Sequence, residues 1–491
     1  MTGLPHLSDA TLAVLPADVA QPAYDRAATR IGIVHLGVGA FHRAHQAVYI
    51  DDVLADDPDW AICGVSLRSP DVRDALRPQD GLYTLALLDG GPTLRVIGAL
   101  REVLCAPDEQ GAVLDRLADP DVRLVMLTVT EKGYCLGGDG LDLAHPDIVH
   151  DLAAPDAPVS AIGYVVAGLA RRHAHGTAPY TVLSCDNLAD NGGRLRRAVL
   201  QYAEILDPAL ARWIESEVTF PRSMVDSITP ATDAAVRDRV AARLGVVDAW
   251  PVQREPYSQW VVEDRFCNGR PAFERVGVTL SDDIAGFDRA KLRLLNGPHS
   301  ALAYLGTLMD IETVADAMRD PALAGFLERL MRDDIAPTLD APAGFDPDTY
   351  IDAILARFRN PDIRHLLSQI AWDGSQKIPV RLVGTIQDAL AAGRPIDRLC
   401  VPIAAWMHFV RRQAQAGVAL VDPMTDVLSG IGRAADGDAR ADVAAFLALE
   451  AVFAPLSDDA GFVAAVQRAY AHLGDAMRPA VTAALAAITD A

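Results

Sequence analysis

Cysteine is scarce, with six in 491 residues, at positions 63, 105, 135, 185, 267 and 400. None forms CxxC, and none stands near a histidine at zinc-finger spacing. A disulfide scaffold and a thiolate zinc finger are therefore excluded. The expectation is reduced, mostly buried thiols in a reducing, cytoplasmic compartment. Long hydrophobic runs are also missing. No stretch approaches the roughly 18 uninterrupted apolar residues of a membrane span. The opening MTGLPHLSDATLAVLPADVA lacks the basic start of a secretory signal. No membrane partner is expected. Positive charge is in deficit, with 44 Lys+Arg against 66 Asp+Glu and a net charge of -22. Such a surface repels a phosphate backbone, so nucleic acid is not an expected partner, though a local basic pocket for a small anion is compatible with it. Internal repeats and low-complexity linkers are absent too.

Apolar residues make up 51% of the chain, enough for a large core in two or three domains. The first half alternates. RIGIVHLG (30–37) and WAICGVSL (60–67) read as buried strands. HRAHQAVYIDDVLADD has helical spacing, and SPDVRDAL starts a helix after Ser69, a good N-cap. YTLALLD and TLRVIGAL resemble a hairpin around Gly90 and Gly91. RLVMLTVT (123–130) and YTVLSCDN (180–187) are two more buried strands, with helical segments near 109–118 and 158–174 between them. Alternating strands and helices specify an α/β domain with a mostly parallel, doubly wound sheet. After about residue 286 the text becomes Ala/Leu-rich and amphipathic, in the stretches 288–308, 311–334, 347–358, 379–392, 397–417, 441–453 and 459–488. The expected division is 1–285 for a dinucleotide-binding domain and 286–491 for a mostly α-helical substrate and catalytic domain.

The first strand runs into Gly37-Val38-Gly39, then Ala40 and Phe41, with His42 where a third glycine would complete G-x-G-x-x-G. Glycines let backbone approach a pyrophosphate, and the next helix start offers unpaired N–H groups. Alone the motif also suits an ordinary tight turn. Its place after the first strand favours the dinucleotide reading. At the end of the second strand Asp71 is the candidate for the ribose 2′-OH of NAD, whereas Arg68 would suit the 2′-phosphate of NADP. NAD is preferred, with NADP left open. His42 and His45 form H-x-x-H without an adjacent third ligand, so no metal is expected.

KLRLLNGPHS (291–300) gathers Lys291, Asn296 and His299. On a regular helix they span an arc of roughly 140°. Pro298 cannot continue such a helix, so a kink or restart is expected, eased by Gly297. The plain alternative is a solvated helix face. A lysine in an apolar setting loses pKa and acts as a base near neutral pH. Asparagine donates N–H bonds to a developing alkoxide, and histidine orients hydroxyls. Together they describe alcohol–ketone interconversion with hydride passing to a nicotinamide.

GVGAFHRAHQ, LTVTEKGYC, SCDN (184–187), FPRSMVDSITP (220–230), EPYSQWVVEDRFCNGRP, KLRLLNGPHS and DGSQKIPVR (373–381) occur in one order over nearly the whole chain. In this it resembles the mannitol dehydrogenase family of polyol-specific long-chain dehydrogenases, which includes fructuronate reductases. The resemblance implies a Rossmann-type domain followed by a helical one, and metal-independent chemistry. It implies Lys291 as general base, Asn187 and Asn296 as holders of the alkoxide oxygen, and His299, Asp226 and Lys377 on the substrate. Asn187 ends a predicted strand, where doubly wound sheets place ligands; Thr130, Glu131 and Lys132 do likewise. Asp288, one turn before Lys291, is placed to relay its proton.

Two departures stand out. The family's VDRI reads Val225-Asp226-Ser227-Ile228 here, and Arg222 is the one nearby replacement charge. Mannitol-type members carry R-x-x-x-D-G-S-x-K, but Gln369 stands at that arginine's place and Arg381 follows Lys377. This looks more like the fructuronate reductase branch, in which Arg381 or Lys377 would pair a substrate carboxylate. The expected substrate is a hexonate, D-mannonate going to D-fructuronate. A sugar alcohol such as mannitol, sorbitol or arabinitol comes second. A non-catalytic sugar-acid or nucleotide binder is the alternative from another class, hinted at by Ser227 alone. A monomer or small homo-oligomer is expected.

Overall fold

The computed structural model describes residues 4–138 and 140–490. They form two compact units, Met1–Ala285 and Gly286–Ala491.

The first unit is built on five parallel strands. Across the sheet they run Leu100–Cys105, Ala61–Ser66, Ile31–Leu36, Leu124–Leu127 and Thr181–Ser184. Ile33 pairs with Leu124 and Leu36 with Leu127, while Val34 pairs with Cys63 on the other side. Both faces are covered, which is why these strands read as continuous apolar runs rather than alternating ones. Val34, Leu36, Val125 and Val182 pack with Val113, Leu117, Val165 and Leu195 from three helices. Ile33, Ile62, Met126 and Leu183 pack on the opposite face with Ala47, Ile50 and Trp260. Each such aliphatic side chain contributes about 1.5–3 kcal/mol on burial.

The strand Leu100–Cys105 was not expected. The hairpin is present as Tyr83–Leu88 against Pro92–Ile97, but it ends at Ile97. At Gly98 a Cβ would lie 2.7 Å from Pro22 Cγ, so the backbone turns there in a space only glycine fits. LREVLC then enters the parallel sheet beside Ala61–Ser66. The helix expected over HRAHQAVYIDDVLADD is also divided, into Ala40–Ala44 and Gln46–Val53. His45 breaks it, with φ -123° and ψ -88°, and its Nε2 bonds Gln259 O at 2.9 Å. A second small sheet joins Ser223–Asp226, Gln259–Val262 and Thr279–Leu280.

The second unit is helical. Asp397–Gln415 is its buried centre, with Trp406 1% exposed. The expected 459–488 helix divides at Gly474 into Ala460–Leu473 and Arg478–Asp490. Thr425–Ala434 was not foreseen, because its glycines read as loop. Gly432 instead allows close packing: its Cβ would lie 2.8 Å from Ala414. Among the described residues no helix is long and apolar enough to cross a membrane. All six cysteines are free, and five are buried.

Candidate active site

Doubly wound sheets receive ligands outside the carboxyl ends of their strands, where the strand order reverses. Here the reversal lies between Ile31–Leu36 and Leu124–Leu127. The chain leaves the first of these at Gly37, with φ +96° and a Cβ position 2.1 Å from Thr128 O. Only glycine fits. Thr128 Oγ1 donates to Gly37 O at 2.6 Å. With that proton committed, His35 Nε2 is the donor to Thr128 Oγ1 at 2.8 Å, which places the imidazole proton on Nε2. Gly39 is the opposite case, with no atom within 4 Å of its Cβ position. A bare backbone beside open space suits the close approach of a pyrophosphate. Val38 is buried beneath the loop; Ala40 and Phe41 are half-buried. This loop fits a dinucleotide.

His42 and His45 are engaged elsewhere. His42 stacks on His35 with ring centroids 3.4 Å apart, and His45 Nδ1 bonds Gln46 at 3.0 Å. Asp71 is exposed at the start of the helix Asp71–Leu76, and its N–H donates to Ser69 Oγ at 3.2 Å. Arg68 Nη2 pairs with Asp147 Oδ2 at 2.5 Å, with the arginine side chain 70% exposed. Asp147 also lies near Cys135 and His145, their donor atoms within 4.8 Å of one another.

Thr130, Glu131 and Lys132 are exposed beyond the strand Leu124–Leu127, with Thr130 at φ +64°. What holds this loop is Asp186, a residue the motif reading passed over. Its carboxylate accepts from Val129 N at 3.0 Å, Thr130 N at 2.9 Å and Tyr134 Oη at 2.7 Å. Burial pushes its carboxyl above the usual range, while these three bonds pull it back. Asn187 follows directly and is exposed. Asp226, 6% exposed, ends the strand Ser223–Asp226. Ser227 Oγ donates to Tyr257 O at 3.0 Å, filling a structural role. Arg222 lies on Glu263, Nε to Oε2 3.5 Å.

In the helical unit the 291–300 stretch is a continuous helix with one widened turn. The helix Ile284–Lys291 passes into a π turn, Leu292–Asn296, and then into Gly297–Leu308. The expected break at Pro298 is thus an inserted residue rather than a restart. The widened turn is what admits Pro298, which has no N–H for the carbonyl of the preceding turn and would crowd it in a regular helix. On a regular helix Lys291 and Asn296 would diverge by about 140°. A π turn bonds residues five apart and draws them towards one face. Lys291 is 7% exposed, and Asp288 is half-buried one turn earlier.

A second π turn, Pro379–Val383, follows the helix Gly374–Ile378 that carries Lys377. The two widened turns meet. Arg381 Nη1 donates to Ser300 Oγ at 3.1 Å and to Asn296 O at 3.4 Å. A Cβ on Gly297 would lie 3.0 Å from Arg381 O. Lys377 Nζ donates to Ile370 O at 3.1 Å. Burial, then the neighbouring Arg381, pull its amine below the usual lysine value. His299 stacks on Phe358 at 5.2 Å and meets His365 edge-on at 4.6 Å. Burial holds His299 well below the ordinary imidazole range, and His365, Arg381, Arg357 and Lys377 push the same way. It is a neutral ring at pH 7, surrounded by basic groups. His365 and Arg357 were not picked out from the sequence, because neither lies in a quoted motif. Gln369 is exposed.

One compositional signal runs through both units. Of the 44 Lys+Arg residues only three are lysine: Lys132, Lys291 and Lys377. Arginine serves wherever a fixed charge suffices; lysine is the one of the two that gives up its proton. The glycine loop at the reversal of the strand order defines a Rossmann-type, nucleotide-binding class.

The mannitol dehydrogenase Rossmann domain model matches residues 31–275, and the mannitol dehydrogenase C-terminal domain model matches 283–474. The chain is 43% identical to D-mannonate oxidoreductase of Escherichia coli K12, over 93% of this chain and 96% of that protein. It is 42% identical to a mannitol 2-dehydrogenase of Aspergillus fumigatus, over 85% and 86%. A solved Pseudomonas fluorescens mannitol 2-dehydrogenase, in ternary complex with NAD and D-mannitol, aligns with TM-score 0.79 and 39% identity over 99% of both chains. The chain belongs to the mannitol dehydrogenase family and is an oxidoreductase.

Proposed function

We propose that this chain is an NAD-dependent, metal-independent dehydrogenase that interconverts D-mannonate and D-fructuronate. Lys291 takes the proton of the reacting hydroxyl and passes it to solvent through Asp288. Asn296 and Asn187 donate amide N–H bonds to the oxygen as it gains charge. NAD, bound along the loop of Gly37 and Gly39, supplies the hydride acceptor. Neutral His299 orients a substrate hydroxyl, and Asp226 binds another. Asp71 takes the ribose 2′-OH.

The observation that carries the sugar-acid reading is the positive surround of His299, formed by Lys377, Arg381 and Arg357. A substrate carboxylate suits that charge. The likeness to a D-mannonate oxidoreductase supports the same reading. A second reading, sugar-alcohol oxidation, has its own support. Arg381 donates hydrogen bonds to the protein itself, at Asn296 O and Ser300 Oγ, which leaves it partly committed. NADH formation at alkaline pH in a chelator, across D-mannonate, D-mannitol, D-sorbitol and D-arabinitol, separates the two. Turnover of the sugar alcohols without D-mannonate would overturn the first reading.

A further inference from the structure

Asn187 sits on a short loop between the strand Thr181–Ser184 and the helix Asn191–Leu206. An exposed asparagine on a loop is a poor donor unless its backbone is held. On one side Asp186 is held by Val129, Thr130 and Tyr134, each giving one hydrogen bond to its carboxylate. Tyr134 spends its only proton there, so Ser184 Oγ donates in turn to Tyr134 Oη at 2.5 Å. On the other side the Asn191 amide, 1% exposed, donates to Asp186 O at 3.1 Å and to Ser223 O at 2.8 Å. Its Oδ1 accepts from Ser223 N at 3.1 Å, at the start of the strand that ends in Asp226. Asn187 is therefore bracketed by Asp186 and Asn191, and the same carboxylate clamps Thr130 at φ +64°.

We propose that Asp186 is a positioning residue, which sets Asn187 and the 128–134 loop in one geometry through a single carboxylate. This rests on the reading of Asn187 as a donor to the reacting oxygen. Carboxylate chemistry is required. Oδ1 accepts one N–H, and Oδ2 accepts an N–H and a hydroxyl. In Asp186→Asn one of these atoms becomes an NH2 group facing a donor, whichever way the amide turns. The loop must then let go on one side.

The test is a double-mutant cycle in the full chain, using Asp186→Asn, Asn187→Ala and the pair, with NAD and whichever substrate turns over. Asp186→Asn is expected to lower kcat about 10–100-fold and to raise the KM for NAD several-fold. In the Asn187→Ala background the kcat loss should vanish to within about threefold while the KM effect for NAD persists. A purely structural role would not produce that split. Multiplying kcat losses, or an Asp186→Asn kcat within about twofold of the parent, would overturn the proposal. If Asp186→Asn does not fold, Tyr134→Phe removes one bond from the same carboxylate. It should cost kcat about 3–10-fold with the same non-additivity, and an unchanged kcat counts against the proposal. Full activity in Asn187→Ala alone would remove the role of Asn187, and this inference with it; additive losses remove only the inference.

Discussion

Arg381 reaches across 85 residues of sequence to donate to the backbone carbonyl of Asn296, joining the widened turns Leu292–Asn296 and Pro379–Val383 of the helical unit. Its guanidinium therefore has a local task before any substrate arrives. Arg381→Gln is expected to lower kcat about 10–100-fold on every substrate, because Asn296 loses its support. The KM for the hexonate should rise as well. Steady-state kinetics on a hexonate and a hexitol check this. A rise in hexonate KM with kcat untouched on both would mean that Arg381 binds the carboxylate and does not place Asn296.

Lys291 should carry the proton transfer. Lys291→Ala is expected to lower kcat by about 10³-fold or more, with NAD affinity changed less than about threefold. Cofactor fluorescence titration beside the kinetics measures both. Near-normal turnover would remove the base assignment.

Three lysines make site-resolved titration practical, since ε-¹³C-lysine labelling yields three signals. Lys377 is expected to titrate below the usual 10.5, held down by burial and by Arg381. Arg381→Gln should move its midpoint up. A midpoint that stays put or falls would show that the two side chains do not sense each other.

Acid should destabilise the first unit through its buried histidines. Burial lowers His35 to about 3 and holds His42 well below 6.5. The unfolded chain takes up protons through 6.5 while the folded one does not. The stabilisation is thus complete above pH 6.5 and is lost as pH falls towards 3, at up to about 1.4 kcal/mol per pH unit for each ring. Asp51 and Asp248, raised by burial, act in the opposite sense at lower pH, so a variant is needed to isolate one ring. His42→Phe should flatten the fall of Tm between pH 6.5 and 5.5. Parallel curves would count against it.

Asp147 should restrain Arg68 from a 2′-phosphate. Because the pair is exposed, it is worth no more than about 1 kcal/mol. Asp147→Asn is accordingly expected to raise kcat/KM for NADP by at most about fivefold and to leave NAD unaffected. Asp71→Ser should weaken NAD instead. No gain with NADP would show that Arg68 is not near the ribose.

Much of the architecture was written in local chemistry. Ile31–Leu36, Ala61–Ser66, Leu124–Leu127 and Thr181–Ser184 were legible because apolar runs bounded by turn residues carry their own period. Gly37 was legible because it opens a G-x-G run straight after the first strand; its φ of +96° came from the fold. Leu100–Cys105 was not, since LREVLC alternates too weakly to stand apart from the hairpin before it. The candidate residues Lys291, Asn296 and His299 were visible as polar groups within one short run. Their geometry was not: a π turn leaves no mark in a 3.6-residue pattern, and Pro298 signalled only that the regular helix had to yield.

The sequence by itself determined the residue chemistry, the family motifs and the division into an α/β half and a helical half, because these follow from neighbours a few positions apart. Only the tertiary structure decided that Asp186 clamps Thr130 across 56 residues, that Arg68 lies on Asp147 across 79 and that Arg381 supports Asn296. Hydrogen bonds between such distant positions impose no period on the chain, and the fold alone brings the partners within reach.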